Sequence, residues 1–453
     1  MVSGPILLVI LAAAIAFIVW STAKLKLHPF LALILTAYGV GLAARMPILD
    51  VAKAVNEGFG GLMTSIGLVI VAGTVIGVFL EKSGAAVVMA DTILKLVGEK
   101  RPALAMSIIG YIVSIPVFCD SGFVILSALN KALSKRSGVS LTALAIALST
   151  GLYATHVMVP PTPGPLAAAG NLGATNLGLV IVIGLITAIP AMVAGYFWAK
   201  RFSKHFDPAQ KLDESDAFAS WDQMKAQYGK LPSPLAAFAP LVTPILLIAL
   251  SSVANFPGLP FGKGHMKFAL NFLGTPVTAL MIGIFLCFFL VQKIDEKVLS
   301  GWVGAALKDA AVILVVTGAG GSLGKILAVT NIGNYLGQTL AHYNLGIFLP
   351  FVIAAAIKTA QGSSTVSLVT TSAIIAPMLA SLGYASDMGR VLMVMAVAAG
   401  AMVVSHANDS YFWVVSQFSG MEVSTAYRAQ TVGTLIQGVV GILTVALLSF
   451  ILL

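Results

Sequence analysis

The sequence predicts an all-α polytopic membrane protein built from two inverted-topology repeats, whose broken or re-entrant helices meet at the membrane midplane. Three observations support this fold class: an apolar composition, landmarks shared by the two halves, and polar interruptions at equivalent places in both. The chain is 58% hydrophobic and 9% charged, whereas soluble domains average about 25% charged residues. Soluble enzymes are therefore excluded, and no cofactor is expected.

Apolar runs recur along the whole chain. They lie near residues 5–20, 31–44, 62–80, 104–117, 177–199, 235–254, 275–291, 309–319, 345–357, 391–404 and 435–453. A helix needs about 20 residues to cross about 30 Å of hydrocarbon, so we expect about 10 to 12 full spans. Several runs are shorter than a span, which indicates helices that are buried, broken or turn back inside the membrane.

The formal charge of +9 does not indicate a nucleic-acid partner, because Lys and Arg lie at helix ends, where the positive-inside rule explains them. The first apolar run has no basic residue before it and is followed by Lys24 and Lys26. This pattern predicts an uncleaved first helix with its N-terminus outside, rather than a signal peptide. Cys119 and Cys287 lie in apolar stretches and are expected to be buried free thiols.

A polar segment of mixed charge, 200–234, divides the chain into a first repeat, 1–199, and a second repeat, 235–453. Its basic residues Lys200 and Arg201 predict a cytosolic linker. The halves on either side share landmarks. Gly73 and Gly77, for example, recur as Gly320 and Gly324 (320 − 73 = 247).

From an outside start to a cytosolic linker, the first half crosses the membrane an odd number of times, so the second half should insert upside down. That arrangement is typical of secondary transporters, whose substrate site lies where corresponding helices are broken. The alternative is a duplication retained for packing alone. The glycines four apart are expected to allow close helix packing rather than to cradle a phosphate, because no strand or G-K-[ST] motif accompanies them.

Four polar stretches interrupt apolar helices, two in each half. They are 114–126, 155–165, 358–368 and 405–413. Unpaired backbone groups in lipid are costly, so such breaks survive only inside protein or beside a water-filled cavity. Each break also creates a helix N-terminus, which attracts anions. A carboxylate substrate fits this arrangement best, although simple kinks would explain any single break.

Ionisable residues within a membrane are costly and usually functional. The candidate proton-coupling residues are Asp120, His156, His406 and Asp409. Lys358 is expected to act as a counter-charge to the substrate. The alternatives are that the histidines bond freed carbonyl groups and that Lys358 snorkels to the interface. No metal site is expected, because the histidines and aspartates are spread across the repeats without the spacing of a ligand set.

The stretches "LYATHVMVPPTPGPLA", "GAGGSLGKIL", "GSSTVS" and "VVSHANDSYFW" resemble the gluconate permease family of gluconate:proton symporters, which belongs to the ion-transporter superfamily. The resemblance extends over nearly the whole chain. It implies import of a sugar acid driven by the proton gradient across the bacterial inner membrane. It also implies an elevator-like movement of the domain that holds the broken helices.

Three departures from the family pattern concern the substrate. Members that handle gluconate or D-serine commonly carry E-V-G where this chain has "DSG" with Asp120, and often a histidine where it has Thr162. Gluconate carriers have an arginine at Lys358, and lysine cannot form the bidentate contact that arginine makes with a carboxylate. A tetronate, glycerate or keto-sugar acid is therefore as plausible a substrate as gluconate.

We therefore expect a proton-coupled symporter for a small hydroxylated carboxylate. Residues expected to bind the substrate are Ser121, Gly122, Thr162, Gly164, Lys358, Gly362, Ser363, Ser364, Thr365, Asn408 and Ser410. The expected partners are a small anion, protons and the lipid bilayer. Sodium coupling, a D-serine carrier of the same family and an anion channel are the alternatives. The sequence leaves the oligomeric state open, a homodimer included.

Overall fold

The computed structural model describes residues 2, 5–98, 101–202, 225–255, 261, 264–330, 346–406 and 409–453. Within these residues all regular secondary structure is helical, as the sequence predicts. The first half contains α1 (Ile6–Ala23), α2 (Pro29–Ala43), α3 (Ile48–Leu62), α4 (Leu68–Lys82), α5 (Ala85–Val97), α6 (Pro102–Val113), α7 (Cys119–Ser137), α8 (Leu141–Met158), α9 (Pro163–Leu172) and α10 (Leu177–Lys200).

The second half contains α11 (Pro234–Ala254), α12 (His265–Gly274), α13 (Pro276–Cys287), α14 (Val303–Val329), α15 (Phe348–Gln361), α16 (Ser364–Ile375), α17 (Asp387–Met402), α18 (Ser410–Phe418), α19 (Val423–Ala426) and α20 (Val432–Leu452). Short π-helical turns at Met63–Gly67, Lys297–Trp302 and Tyr427–Thr431 connect or extend these helices. α3 therefore runs into α4, and α19 runs into α20, without an intervening loop.

The sequence fixes several helix ends by local chemistry. Pro29, Pro102 and Pro163 begin α2, α6 and α9, where proline's missing N–H group would be unpaired in any case. Side chains cap other helices: Ser363 accepts from the Val366 N–H group at the start of α16. Such caps satisfy backbone donors that a helix buried in the membrane could not expose to water.

Fewer helices are long and apolar enough to cross a membrane than the 10 to 12 spans that the sequence predicts. Five among the described residues are long and apolar enough to do so, or up to seven if each bent pair is one span. The bent pairs are α4 with α5, at 72°, and α12 with α13, at 67°. The difference arises because several apolar runs form helices of only 10–17 residues. Their lengths suit half-spans that meet inside the protein.

α8 and α9 form one apolar span that is interrupted at 159–162, and every residue of α8 is buried. α6 packs closely against α8, since a Cβ on Gly110 would lie 2.6 Å from the Leu148 carbonyl oxygen. α4 packs against the two first-half breaks in the same way: a Cβ on Gly77 would lie 2.7 Å from the Pro116 oxygen. The glycines four apart thus serve helix packing, as expected.

Four helices and the two breaks between them follow the same order in both halves. α6, α7, α8 and α9 begin at 102, 119, 141 and 163, and α15, α16, α17 and α18 begin at 348, 364, 387 and 410. The shift between corresponding starts is nearly constant. α10 ends at Lys200 and α11 begins at Pro234, and residues 203–224 of the predicted linker lie outside the described part of the chain.

Candidate functional site

The breaks are shorter than the polar stretches that predict them. Helix is interrupted at 114–118, 159–162 and 362–363 and, among the described residues of the fourth stretch, at 403–406 and 409. Within the polar stretch that starts at Thr155, for example, α8 continues to Met158 and α9 resumes at Pro163. Charged and hydroxyl side chains at the ends of these breaks form the candidate site.

A buried ion pair joins the two breaks of the second half. Lys358, in the last turn of α15, has no exposed surface, and its Nζ atom lies 2.6 Å from Oδ2 of Asp409. The same ammonium group donates to the Gly362 carbonyl oxygen. Gly362 has a left-handed φ of 90°, a conformation that glycine adopts without strain, and it ends α15. The interface-snorkelling alternative for Lys358 therefore does not hold.

Both carboxylate oxygens of Asp409 are engaged. The Ser405 hydroxyl group donates to Oδ2 at 2.5 Å, and the Tyr411 N–H group donates to Oδ1 at 3.1 Å. Asp409 is thus the N-cap of α18 as well as the counter-ion of Lys358. A carboxylate held at a helix N-terminus is stabilised by the helix dipole and by the backbone donors there.

Aromatic rings enclose the ion pair. Tyr153 of α8 stacks on Tyr411 with ring centroids 5.2 Å apart, and the Lys358 ammonium lies 6.0 Å from the Tyr153 centroid. Phe123 of α7 packs edge-on against Tyr411. The Tyr411 hydroxyl group donates to the Ser149 carbonyl oxygen at 3.0 Å. Both tyrosine rings and Phe123 are buried, and electrostatic interactions are stronger in such a low-dielectric environment than in water.

Asp120, in the first turn of α7, is the carboxyl group without an ion pair in the cluster. Its Oδ1 atom is buried and has no hydrogen-bond partner among the described residues, and its Oδ2 atom lies 3.7 Å from the Cys119 sulfur. The charges of Asp409 and Lys358 both act on it. The cluster therefore combines one ammonium group with two carboxyl groups.

The two histidines occupy different environments. His156, at the end of α8, is 7% exposed, packs beside the Phe118 ring and is acted on by the Asp409 charge. Its Nδ1 atom has no partner within the described residues. His406 places Nε2 2.8 Å from the Thr359 carbonyl oxygen, which is the structural alternative that the sequence left open.

The remaining predicted residues divide between the two halves. Thr162 donates to the Val159 carbonyl oxygen at 2.6 Å. Gly164 of α9 packs against Thr365 and Leu368 of α16, so the N-termini of these two helices meet. The glycine at 122 has a packing role, since a Cβ there would lie 2.9 Å from a methyl group of the leucine at 152.

Four hydroxyl residues and an amide complete the predicted set. Ser121 is half-buried in the first turn of α7. Ser363 caps α16, and Ser364 lies close to the Tyr153 hydroxyl group. Ser410 begins α18 and is exposed, whereas Asn408 lies outside the described residues. A small cleft adjoins the first-half breaks and is lined by Gly73, Thr74, Pro116, Phe118, Pro161, Thr162 and Pro163.

Sequence reasoning missed Tyr153, Tyr411 and Ser405. Both tyrosines lie in apolar helices, where an aromatic residue resembles ordinary core. The signal available for Tyr153 was its position three residues before His156, which places both on one face of α8. In the described part of the chain no group of three or more His, Cys, Asp or Glu could hold a metal ion.

Comparison with known proteins shows which family the chain is similar to. Residues 6–451 match the model of the GntP family permease. The gluconate permease of Pseudomonas aeruginosa is 33% identical, with 99% of this chain and 98% of that protein aligned. The inner membrane permease YgbN of Escherichia coli is also 33% identical, over 96% and 97% of the two chains.

A solved structure shares the fold. MtrF of Neisseria gonorrhoeae, described as one of a class of antimetabolite efflux pumps, superposes with a TM-score of 0.69. The alignment covers 96% of this chain and 97% of that chain at 15% sequence identity. The likeness therefore concerns the arrangement of helices and not the solute.

Proposed function

The chain belongs to the GntP family of permeases, and we propose on that basis that it imports gluconate or a related small hydroxy acid together with protons. The relatives are permeases, so the chain is a transporter and not an enzyme, and it is a multi-pass inner-membrane protein. The observation that carries the proposal is the buried Lys358–Asp409 ion pair beside the unpaired Asp120. The named relatives support gluconate or a similar acid as the substrate.

Charge balance explains why an anion and a proton would bind together. With both carboxyl groups ionised, Asp120, Asp409 and Lys358 carry one net negative charge. A substrate carboxylate would add a second in a buried, low-dielectric site, which is strongly unfavourable. Protonation of Asp120 removes this excess negative charge. Substrate and proton then stabilise the same state, and this shared preference is the coupling free energy of a symporter.

The helix termini supply the anion site in this proposal. The N-termini of α9 and α16 meet at Gly164 and Thr365, and their backbone N–H groups would hold the substrate carboxylate. Lys358 supplies the counter-charge when its contact with Asp409 loosens. Substrate hydroxyl groups would bond to Thr162, Ser363 and the other hydroxyl residues of the breaks, with His156 assisting the proton transfer.

The repeated order of helices supports two inverted repeats that move past one another to alternate access. The linker near 200–234 would then be cytosolic and the N-terminus outside. The short half-helices of α6, α9, α15 and α18 suit a domain that carries the site across the membrane in an elevator-like movement.

Sodium coupling is the second candidate, and one observation favours it. The buried hydroxyl oxygens of Thr317, Thr370 and Thr371 have no hydrogen-bond partner among the described residues, and Na⁺ prefers oxygen ligands. The acidic and imidazole groups of the site favour protons instead.

Uptake of labelled gluconate into proteoliposomes tests both candidates. An inward proton gradient is imposed with potassium clamped, with and without sodium, and unlabelled C3–C6 sugar acids and D-serine compete. We expect gradient-dependent uptake that needs no sodium, and the strongest competitor then identifies the substrate. If uptake requires sodium at fixed pH, the coupling ion is Na⁺ and not the proton. If none of these acids is transported or competes, the proposed substrate class of small hydroxy acids is wrong.

A further inference from the structure

Two threonines at the start of α20 hold the backbone of the break between α17 and α18. The Thr431 hydroxyl group donates to the Ser405 carbonyl oxygen at 2.6 Å, and the Ser405 N–H group donates to the Thr434 hydroxyl oxygen at 2.9 Å. The Thr434 hydroxyl group in turn donates to the Thr431 carbonyl oxygen at 3.0 Å. Both backbone groups of Ser405 are therefore bound by one short segment, and we call Thr431 and Thr434 the threonine clamp.

The backbone at this break needs such support. α17 ends at Met402, and Val404 has a left-handed φ of 53°, a conformation that a β-branched residue adopts only under strain. Ser405 is fully buried. Its N–H and C=O groups lie outside any helix, so both would be costly without partners. The threonine clamp supplies those partners and thereby fixes the position of Ser405.

The equivalent helix of the first half has no hydroxyl groups at these positions. The shift between the two site histidines (406 − 156 = 250) places Ile181 and Gly184 of α10 at the positions of the clamp. Gly184 packs directly against the end of α8, because a Cβ there would lie 2.5 Å from the Met158 carbonyl oxygen. The threonine clamp is therefore not a packing feature common to both halves, and it occurs in the half that contains the ion pair.

Ser405 connects the threonine clamp to the ion pair. Its hydroxyl group donates to Oδ2 of Asp409 at 2.5 Å, and Nζ of Lys358 lies 2.6 Å from the same oxygen atom. In the proposed transport cycle, Lys358 loosens this contact to meet the substrate carboxylate. The Ser405 hydroxyl group then remains as a donor to Oδ2, which lowers the cost of leaving a buried carboxylate without its cation.

We propose that Thr431 and Thr434 are positioning residues for substrate binding, which hold the Ser405 hydroxyl group against Asp409 and so free Lys358 for the substrate. The inference rests on the function proposed above. Neither threonine contacts the substrate, and each acts through Ser405. Without the threonine clamp, the Ser405 hydroxyl group would leave Oδ2. Asp409 would then depend on Lys358 alone, and the substrate would have to compete for that cation.

The test replaces single hydroxyl groups by methyl groups. T431V and T434V remove the hydroxyl groups of the clamp, whereas T431S and T434S keep them. The matched controls are T444V and T187V. Thr444 is half-buried in α20 and Thr187 is buried in α10, and each donates to a carbonyl oxygen four residues earlier in its own helix. The controls thus lose a hydroxyl group of similar burial that does not hold a break.

Initial rates of labelled gluconate uptake into proteoliposomes, under an inward proton gradient, give the half-saturating concentration and the maximal rate of each variant. We expect T431V and T434V to raise the half-saturating concentration by about fivefold or more, at a maximal rate close to that of wild type. T431S and T434S should restore the wild-type value, and both controls should retain it. In an S405A background T434V should add little, because the clamp acts through the Ser405 hydroxyl group.

Hydrogen exchange gives a second reading that does not depend on the substrate. T434V removes the acceptor of the Ser405 N–H group. We therefore expect faster exchange in T434V than in wild type or T444V for the peptide that contains Ser405.

An unchanged half-saturating concentration in T431V and T434V would overturn the inference, even with faster exchange, since the threonines would then only support the backbone. A lower maximal rate at an unchanged half-saturating concentration would overturn it as well, because that result indicates a loss of folded carrier. Unchanged exchange in T434V would show that the clamp does not form. If wild type takes up none of the sugar acids, the proposed function fails and the substrate role of the clamp fails with it, while exchange still shows whether the threonines hold Ser405.

Discussion

Lys358 and Asp409 depend on each other at the residue scale. Each is buried, and a buried charge that loses its partner keeps the desolvation cost without the compensating attraction. The buried rings of Tyr153 and Tyr411 stack beside the pair. The ion pair is therefore both the centre of the proposed site and a structural element of the second half.

Removal of one partner should destabilise the protein strongly. K358A leaves the Asp409 carboxylate buried and unpaired, and we expect a loss of about 3–5 kcal/mol in stability. The double variant K358A/D409N should recover part of that loss, because no lone charge remains. Thermal unfolding in detergent measures both. Equal stability of K358A and wild type would show that the ion pair does not form in the folded carrier.

Asp120 has a different predicted role, because it lacks an ion pair. D120N should abolish the dependence of transport on the proton gradient while gluconate counterflow continues, since the variant is permanently neutral at that position. Uptake and counterflow in proteoliposomes, with D50N of the exposed Asp50 as control, measure the effect. Proton-driven accumulation at the wild-type level would remove Asp120 from the mechanism.

Sequence reasoning could identify Asp120, Lys358 and Asp409, because a charged residue in an apolar run stands out by its cost. It could not pair Lys358 with Asp409, which lie in different helices. It could not separate the buried His156 from the carbonyl-bonded His406 either, since both occur beside prolines or small polar residues.

At the scale of elements, close contacts between helices hold the breaks in position. α4 supports both first-half breaks through glycines, and α9 meets α16 at Gly164. The polar stretches predict where breaks occur, but not their length. Hydroxyl and glycine residues are compatible with the first turn of a helix as well as with a loop, so helices extend further into these stretches than expected.

The contact of α4 with the 114–118 break can be tested by one methyl group. In G77A the added Cβ would lie 2.7 Å from the Pro116 oxygen, and such overpacking costs about 1–3 kcal/mol. We expect lower thermal stability together with slower transport, because the break that precedes Asp120 must shift.

Gly60 of α3 provides the matched control, because an added Cβ there has no atom within 4 Å. G60A should leave transport intact and raise stability slightly, since alanine is favoured over glycine in helices by about 1 kcal/mol. Equal effects of G77A and G60A would contradict the packing role of Gly77.

At the scale of the whole molecule, composition and hydropathy predict the fold class because the bilayer allows few alternatives to helices. The number of spans is harder to predict, since a half-helix and a full span have the same apolar composition. The proposed coupling belongs to this scale as well. In that proposal, substrate and proton would favour one arrangement of all four breaks, with Asp120 as the group that takes up the proton.

The most direct test of this account is to measure whether gluconate entry brings protons into the vesicle. Wild-type proteoliposomes containing a pH-sensitive dye are prepared without a pH gradient, with potassium clamped, and gluconate is added outside. We predict internal acidification that accompanies gluconate entry and is absent in D120N. Gluconate entry without any change of internal pH in the wild-type carrier would contradict proton symport, whatever the effect of the individual substitutions.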